Sequence, residues 1–99
     1  MTNPYDFVAP ALIQGALDFV NEIRNEHGAE PLSQMPCGER LNGNACPIAV
    51  GLRDLWPTAR IHVGGYIRVT SAQEERVVVR DVSEISCAFM RAFDRGPTT

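Results

Sequence analysis

Cys46 is the residue whose type and position most directly suggest chemistry. It precedes Pro47, and because proline is favoured at the first helical position, the thiol is expected at the start of a short helix. The positive end of the helix dipole favours a thiolate there. A nucleophile also needs a base, and no spacing brings His27 or His62 to it. We therefore favour a buried structural thiol and keep a reactive thiol at Cys46 as the alternative.

A basic strand face is the second candidate. Side chains of one parity in residues 60–70 are mostly polar or charged, and a returning strand adds Arg76 or Arg80. Such ribbons can contact phosphates and stack on bases, although a sequence pI near 5.2 opposes binding to a polyanion. The predicted binding residues are Arg60, His62, Tyr66, Arg68, Arg76 and Arg80.

Metal and cofactor chemistry find no support in the spacing. Eight residues separate Cys37 from Cys46, which does not match the short spacing of a zinc knuckle. With Cys87 the cysteines are odd in number, which is atypical of a secreted disulfide framework and compatible with reduced thiols. We predict no metal and no cofactor.

The sequence also lacks the patterns of other common enzyme classes. Glu22, Glu26 and Glu30 have no apolar setting that would raise the pKa of a catalytic carboxyl. The sequence has no phosphate-binding loop, no Gly-x-Ser-x-Gly and no dinucleotide fingerprint. We therefore predict a protein that is not an enzyme.

The strands that position the basic face occupy residues 60–80. Ile61, Val63, Ile67 and Val69 share one parity, which favours a single strand bent at Gly64-Gly65. A two-residue hairpin there is the alternative, but it would pair Ile61 with Arg68 and so mix both faces.

The returning strand is predicted over residues 76–80, after a hairpin loop over residues 71–75. Either Val77 and Val79 or Val78 faces the core, depending on the loop register, and the pattern does not separate these alternatives.

Two helices are predicted before the strands. Residues 9–27 have apolar residues at helical spacing, with Pro10 in the first turn and Gly28 after the last. A short helix follows Cys46, and Trp56-Pro57 ends it.

A last helix is predicted after the strands. The spacing from Asp81 to Glu84 is that of a capping box, and Gly96-Pro97 stops the helix. Its predicted apolar face is Val82, Ile85, Phe89, Ala92 and Phe93.

The segment over residues 29–45 is rich in proline, glycine and other turn formers. It is either a long ordered loop or contains one short turn of helix, with Leu32, Met35 and Leu41 as anchors. Loops of this length inside a compact domain are often functional.

These elements give an α+β fold: a long N-terminal helix, a long loop, a short helix, a β-hairpin with a bent first strand, and a C-terminal helix. Its 99 residues form one domain, 1–99, with a frayed tail at 97–99. An isolated two-stranded sheet is barely stable, so the hairpin must lie on the helices or pair with the edge of another chain. Homodimerisation through that edge is therefore a candidate.

Composition bears on the compartment. No apolar run approaches the about 18 residues of a membrane span, and the first residues do not resemble a signal peptide. We predict a cytoplasmic protein that does not bind membranes. All nine basic residues are arginine, which hints at a genome rich in GC.

Four segments together resemble a group of short proteins encoded by actinobacteria and their phages. They are residues 17–28, Cys46-Pro47-Ile48-Ala49 with Leu52, Val63-Gly64-Gly65, and residues 89–96 from Phe89 to Gly96. The resemblance implies a source and a compartment, and it supplies no activity and no catalytic residues. Cys37 lies outside the shared pattern.

We therefore expect a small interaction or regulatory protein, phage-encoded, that binds a protein partner or itself through the sheet edge and the long loop. The alternative is a nucleic-acid-binding module that uses the arginine-rich strand face.

Overall fold

A computed structural model describes residues 5–97 and has the predicted α+β class, with a helix first and last. A three-stranded antiparallel sheet in the order β1-β2-β3 lies between the short helix and the last helix in the chain. The predicted frayed tail, 97–99, lies outside the described residues except for Pro97. The elements are α1 (Pro10–Glu26), α2 (Pro47–Leu52) with a 3-10 turn (Arg53–Leu55), β1 (Arg60–Val63), β2 (Tyr66–Thr70), β3 (Arg76–Asp81) and α3 (Glu84–Arg95).

Helix α1 follows its predicted apolar periodicity. Pro10 occupies its first position, where a missing N–H costs nothing, and Gly28 follows its end with a φ of 72°. Its buried face includes Ala16, Phe19, Val20 and Ile23.

Helix α3 packs against α1 and the N-terminal segment. Phe89 and Phe93 are buried, and Tyr5 contacts both rings with centroid distances of 5.7 Å. Gly15 lets α3 approach closely, since a Cβ on it would lie 2.2 Å from Ile85 Cδ1. Ile85, predicted on the apolar face, is in this contact and is still 39% exposed.

The predicted cap of α3 at Asp81 is wrong. The cap is Ser83, whose Oγ accepts the backbone N–H of Ser86 at 3.3 Å. Asp81 is still within β3 and pairs with Tyr66. The strand therefore continues to the residue that the capping-box pattern assigned to the helix.

The prediction of one bent strand over residues 60–70 is also wrong. The chain turns back after Val63, and β1 pairs with β2. The rejected hairpin assumed a register that joins Ile61 to Arg68, whereas Ile61 pairs with Val69. Because Val63 pairs with Ile67, the four apolar side chains keep one face through the turn, and all four are buried.

Strand β3 is an edge strand with a bulge. Arg68 pairs with Val78 and Ile67 with Arg80, so Val79 is an extra residue between these pairs. Val77 lies on the inner side opposite Val69 and Val78 on the outer side, and both are more than half exposed. Only Val79 packs partly against the core.

Residues 29–45 form an ordered loop without a helical turn. Asn21 of α1 binds the backbone N–H and carbonyl of Leu32, and Met35 is buried, as expected of an anchor. Leu41 is not an anchor: it is 84% exposed and has a φ of 56°. The far end of the loop reaches the sheet, where Val63 N–H donates to the Gly43 carbonyl at 2.9 Å.

The helices, the loop and the inner sheet face share one hydrophobic core. Arg24 is also buried, and it connects α1 to α2 through the Gly51 carbonyl and to the 3-10 turn through Asp54. Among residues 5–97, no helix combines the length and apolar character needed to cross a bilayer.

Candidate functional site

The outer face of the sheet gathers most of the predicted binding residues. Antiparallel pairing places Arg60, Thr70 and Arg76 side by side in one row across the three strands. In the next row His62 lies opposite Arg68. The alternation that buries the valines and isoleucines on one side therefore assembles a basic surface on the other.

A cavity of about 180 Å³ lies at the centre of this surface. Among residues 5–97, no carboxylate lines it. A neighbouring depression shares Asn44 and Arg60 and adds Arg53, which extends the basic surface along the end of β1. We call the cavity the arginine cavity; its lining is Asn44, Arg60, Ile61, His62, Arg68, Thr70 and Arg76.

The three arginines of the cavity differ in their partners. Arg60 forms an ion pair with Glu74 at 2.8 Å, and both side chains are mainly exposed. Within residues 5–97, Arg68 and Arg76 have no ion-pair partner. The Nε of Arg68 is buried and has no hydrogen-bond partner, although a buried unpaired N–H costs about 1–3 kcal/mol. Two of the arginines that line the cavity therefore form no ion pair in the described chain, and one buried guanidinium N–H has no acceptor there.

His62 is held at the rim by the long loop. Its Nδ1 lies 3.3 Å from Asn44 Oδ1, a geometry in which a protonated Nδ1 donates to the amide oxygen. Gly43 allows this approach, because a Cβ there would lie 2.5 Å from His62 Cε1 and 2.9 Å from the Val63 carbonyl oxygen. Gly43 thus positions Asn44, which lines the cavity beside His62.

Two predicted residues lie outside the cavity. Tyr66 is on the outer face opposite Asp81, is exposed and does not line it. Arg80 is on the opposite side of the sheet, where its guanidinium binds Glu26 and lies 3.5 Å from Glu22. The hydrogen bond from Arg80 lowers the pKa of the Glu26 carboxyl below its ordinary value. Placing Arg80 on the basic surface was therefore an error, caused by the bulge at Val79.

Sequence reasoning missed two polar residues of the cavity, Thr70 and Asn44. Thr70 has the parity of Arg68 and is buried at the cavity, so the alternation could have identified it. Asn44 is brought in by a loop, and no periodic signal connects it to the sheet.

Cys46 lies at the N-terminus of α2, as predicted, but in a setting that disfavours a thiolate. Burial raises the pKa of the Cys46 thiol above its ordinary value, although the backbone N–H groups of Ala49 and Ile48 act in the opposite direction. Neither histidine contacts it: His27 packs on Trp56, and His62 binds Asn44. A reactive thiol at Cys46 stays a prediction.

The other polar groups near Cys46 serve packing. All three cysteines are free thiols, and Cys37 is exposed. Tyr5 donates to the Pro36 carbonyl, and burial, followed by the nearby Cys37 and Cys46, raises the pKa of Tyr5 to about 12. Over the described part of the chain, no three His, Cys, Asp or Glu side chains converge as metal ligands would.

Comparison with protein-family models, with curated proteins and with solved structures finds no significant match to this chain.

Proposed function

We propose that this chain is a small non-enzymatic interaction protein that self-associates through the outer edge of β3. One observation carries the proposal: β3 is an edge strand on which Val77 and Val78 are 59% and 57% exposed. Exposed β-branched residues on an unpaired edge are a template for pairing with another strand. The buried Cys46 thiol, with its raised pKa, supports the absence of thiol catalysis.

The charges of β3 favour a second copy as the partner. In a twofold antiparallel pair, Arg76 of one protomer would lie opposite Asp81 of the partner subunit, and the reverse contact would repeat it. Both side chains lie on the outer face in each copy, so the opposite charges meet on one side. Such a pair would cover Val77 and Val78 and extend the sheet to six strands.

Light scattering coupled to size exclusion over a concentration series tests self-association. We expect the wild type to shift from monomer toward dimer mass, and Val77→Lys with Val78→Lys to remain monomeric, because the two lysines cannot be buried at the edge. Leu41→Lys is the control, since it replaces a still more exposed apolar residue, which lies on the loop and outside the sheet edge. A wild type that stays monomeric at every concentration contradicts the proposal.

A charge exchange sharpens this test. Asp81→Arg should weaken the dimer, and adding Arg76→Asp should restore it, because the pairing places these two positions opposite each other. A double variant that dimerises no more strongly than Asp81→Arg alone would exclude this register.

A cytoplasmic location, with free cysteines kept reduced, and an actinobacterial or phage origin belong to the same proposal.

Nucleic-acid binding by the outer face is a second candidate. The observation that favours it is the convergence of Arg60, Arg68 and Arg76 on one cavity, with Arg53 beside it. Guanidinium groups contact phosphates without regard to sequence.

Fluorescence anisotropy with labelled single-stranded and duplex DNA tests this candidate. We expect binding at low salt that weakens as the salt concentration rises. In the double variant Arg60→Gln with Arg76→Gln, the plot of log K against log salt should be less steep by about 1.4 for single strands, because two phosphate contacts are lost. Arg91→Gln with Arg95→Gln removes two exposed charges from α3 and should leave the slope nearly unchanged. No binding at low salt eliminates the candidate.

A further inference from the structure

We propose that the arginine cavity is a binding site for a single phosphate group, carried by a small molecule or by a nucleic-acid backbone. The inference deepens the second candidate function, on which it rests for its polymeric ligand only. Arg76 also belongs to the proposed dimer contact, whereas Arg68 is on β2, outside that contact, so Arg68→Gln separates the two proposals. The observation behind it is that unpaired arginines and buried polar groups surround one small, partly open cavity on the outer sheet face.

The charge at the cavity suits a phosphate group, whose several oxygens can accept from more than one guanidinium group. Arg68 and Arg76 lack ion-pair partners within the described chain, and a phosphate can accept from both. Glu74 is the nearest competitor, but its bond to Arg60 is between exposed side chains, and such pairs are worth about 0–1 kcal/mol. A phosphate monoester carries a charge of about −1.5 to −2 at neutral pH, so the cavity favours it over a carboxylate.

Neutral donors complete the wall. Thr70 is buried against the cavity, and Asn44 and His62 form its rim. A hydroxyl, an amide and an imidazole can each donate to a phosphate oxygen. The buried Nε of Arg68 lacks an acceptor, and an anion that draws this guanidinium toward the cavity would supply one.

The volume limits what the cavity can enclose. About 180 Å³ is less than the about 300–1,000 Å³ of pockets that surround whole small molecules. The cavity therefore accommodates one charged group, and the remainder of the ligand lies outside it. The depression beside Arg53 offers a second basic surface to the part of the ligand that lies outside the cavity.

An NMR titration at constant ionic strength tests the site, with sodium chloride as the reference salt. Inorganic phosphate, a nucleoside monophosphate and a single-stranded oligonucleotide are added separately. We expect saturable shifts of the amides around Arg60, Arg68 and Thr70 with phosphate, and affinity lower by about tenfold in Arg76→Gln, the loss of one charge-assisted contact. Arg91→Gln removes an exposed charge from α3 and should bind as the wild type does.

Arg76 is exposed, so its variant is expected to fold, and Arg68→Gln is the second variant. Saturable binding of phosphate and oligonucleotide, both weakened by Arg76→Gln, supports the site. Phosphate binding without oligonucleotide binding also supports the site and removes the nucleic-acid candidate. The proposed site is overturned if the oligonucleotide binds and neither Arg76→Gln nor Arg68→Gln weakens its binding; the nucleic-acid candidate is then kept. The site is also overturned if phosphate causes no shifts beyond those of sodium chloride.

Discussion

Replacing Arg24 with alanine is expected to lower the free energy of unfolding by about 3 kcal/mol, since each hydrogen bond to a charged group contributes about 1.5–3 kcal/mol. Arg24 is buried, its Nε donates to the Glu30 carbonyl at 2.7 Å, and its Nη1 donates to the Gly51 carbonyl at 2.9 Å. Nη1 also pairs with Asp54 at 2.7 Å, but that carboxylate is 61% exposed and remains hydrated when the arginine is removed. The cost therefore comes mainly from the two carbonyls.

Thermal and urea denaturation measure the effect of Arg24→Ala. For a domain of this size, a loss of about 3 kcal/mol lowers the Tm by more than about 10 °C. Arg53→Ala is the matched control, because Arg53 is exposed and forms no ion pair in the described chain, so it should change stability by less than about 0.5 kcal/mol. Equal effects of the two substitutions would show that the buried network does not stabilise the fold.

Gly38→Ala is expected to destabilise the protein by about 1–3 kcal/mol and to displace the long loop. A Cβ at Gly38 would lie 2.4 Å from Pro47 N, 2.6 Å from the Cys46 carbonyl carbon and 2.7 Å from Ala45 O. All three atoms belong to the backbone, so no side-chain rotation can relieve the contact. Because the loop continues from Gly38 to Asn44, the proposed phosphate site should weaken as well.

Gly65→Ala provides the comparison for Gly38→Ala. No atom lies within 4 Å of a Cβ built on Gly65, so the substitution should change stability by less than about 1 kcal/mol. Urea denaturation and the phosphate titration are measured on both variants. A Gly38→Ala protein with wild-type stability would mean that the loop moves freely away from α2, contrary to the packing described above.

The helices and the strand parity could be predicted because both follow from hydrophobic periodicity. Ala16, Val20 and Ile23 recur at helical spacing and are buried, and Ile61 and Val69 share a parity and a face. Periodicity reports which side of an element is apolar and does not report where the chain reverses. The turn after Val63 was therefore missed, although Ile61, Val63, Ile67 and Val69 around it were correctly assigned to one face.

The candidate site was partly predictable for the same reason. Arg60, His62, Arg68 and Arg76 follow from alternation and line the cavity. Asn44 depends on the path of a loop, which no local pattern encodes. The burial of Arg24 was not foreseen either, because its carbonyl partners, Glu30 and Gly51, lie outside α1 and no helical periodicity connects them to it.

The extra residue at Val79 inverts the relation between residue number and direction along β3. Before it, even-numbered side chains such as Arg76 point to the ligand side, and after it the even-numbered Arg80 points to the helices. Arg76 and Arg80 therefore have different roles, although they are only four positions apart. Arg76 faces the proposed anion site, and Arg80 forms ion pairs with α1. Substitutions at position 76 could therefore change anion binding without disturbing the ion pairs between Arg80 and α1.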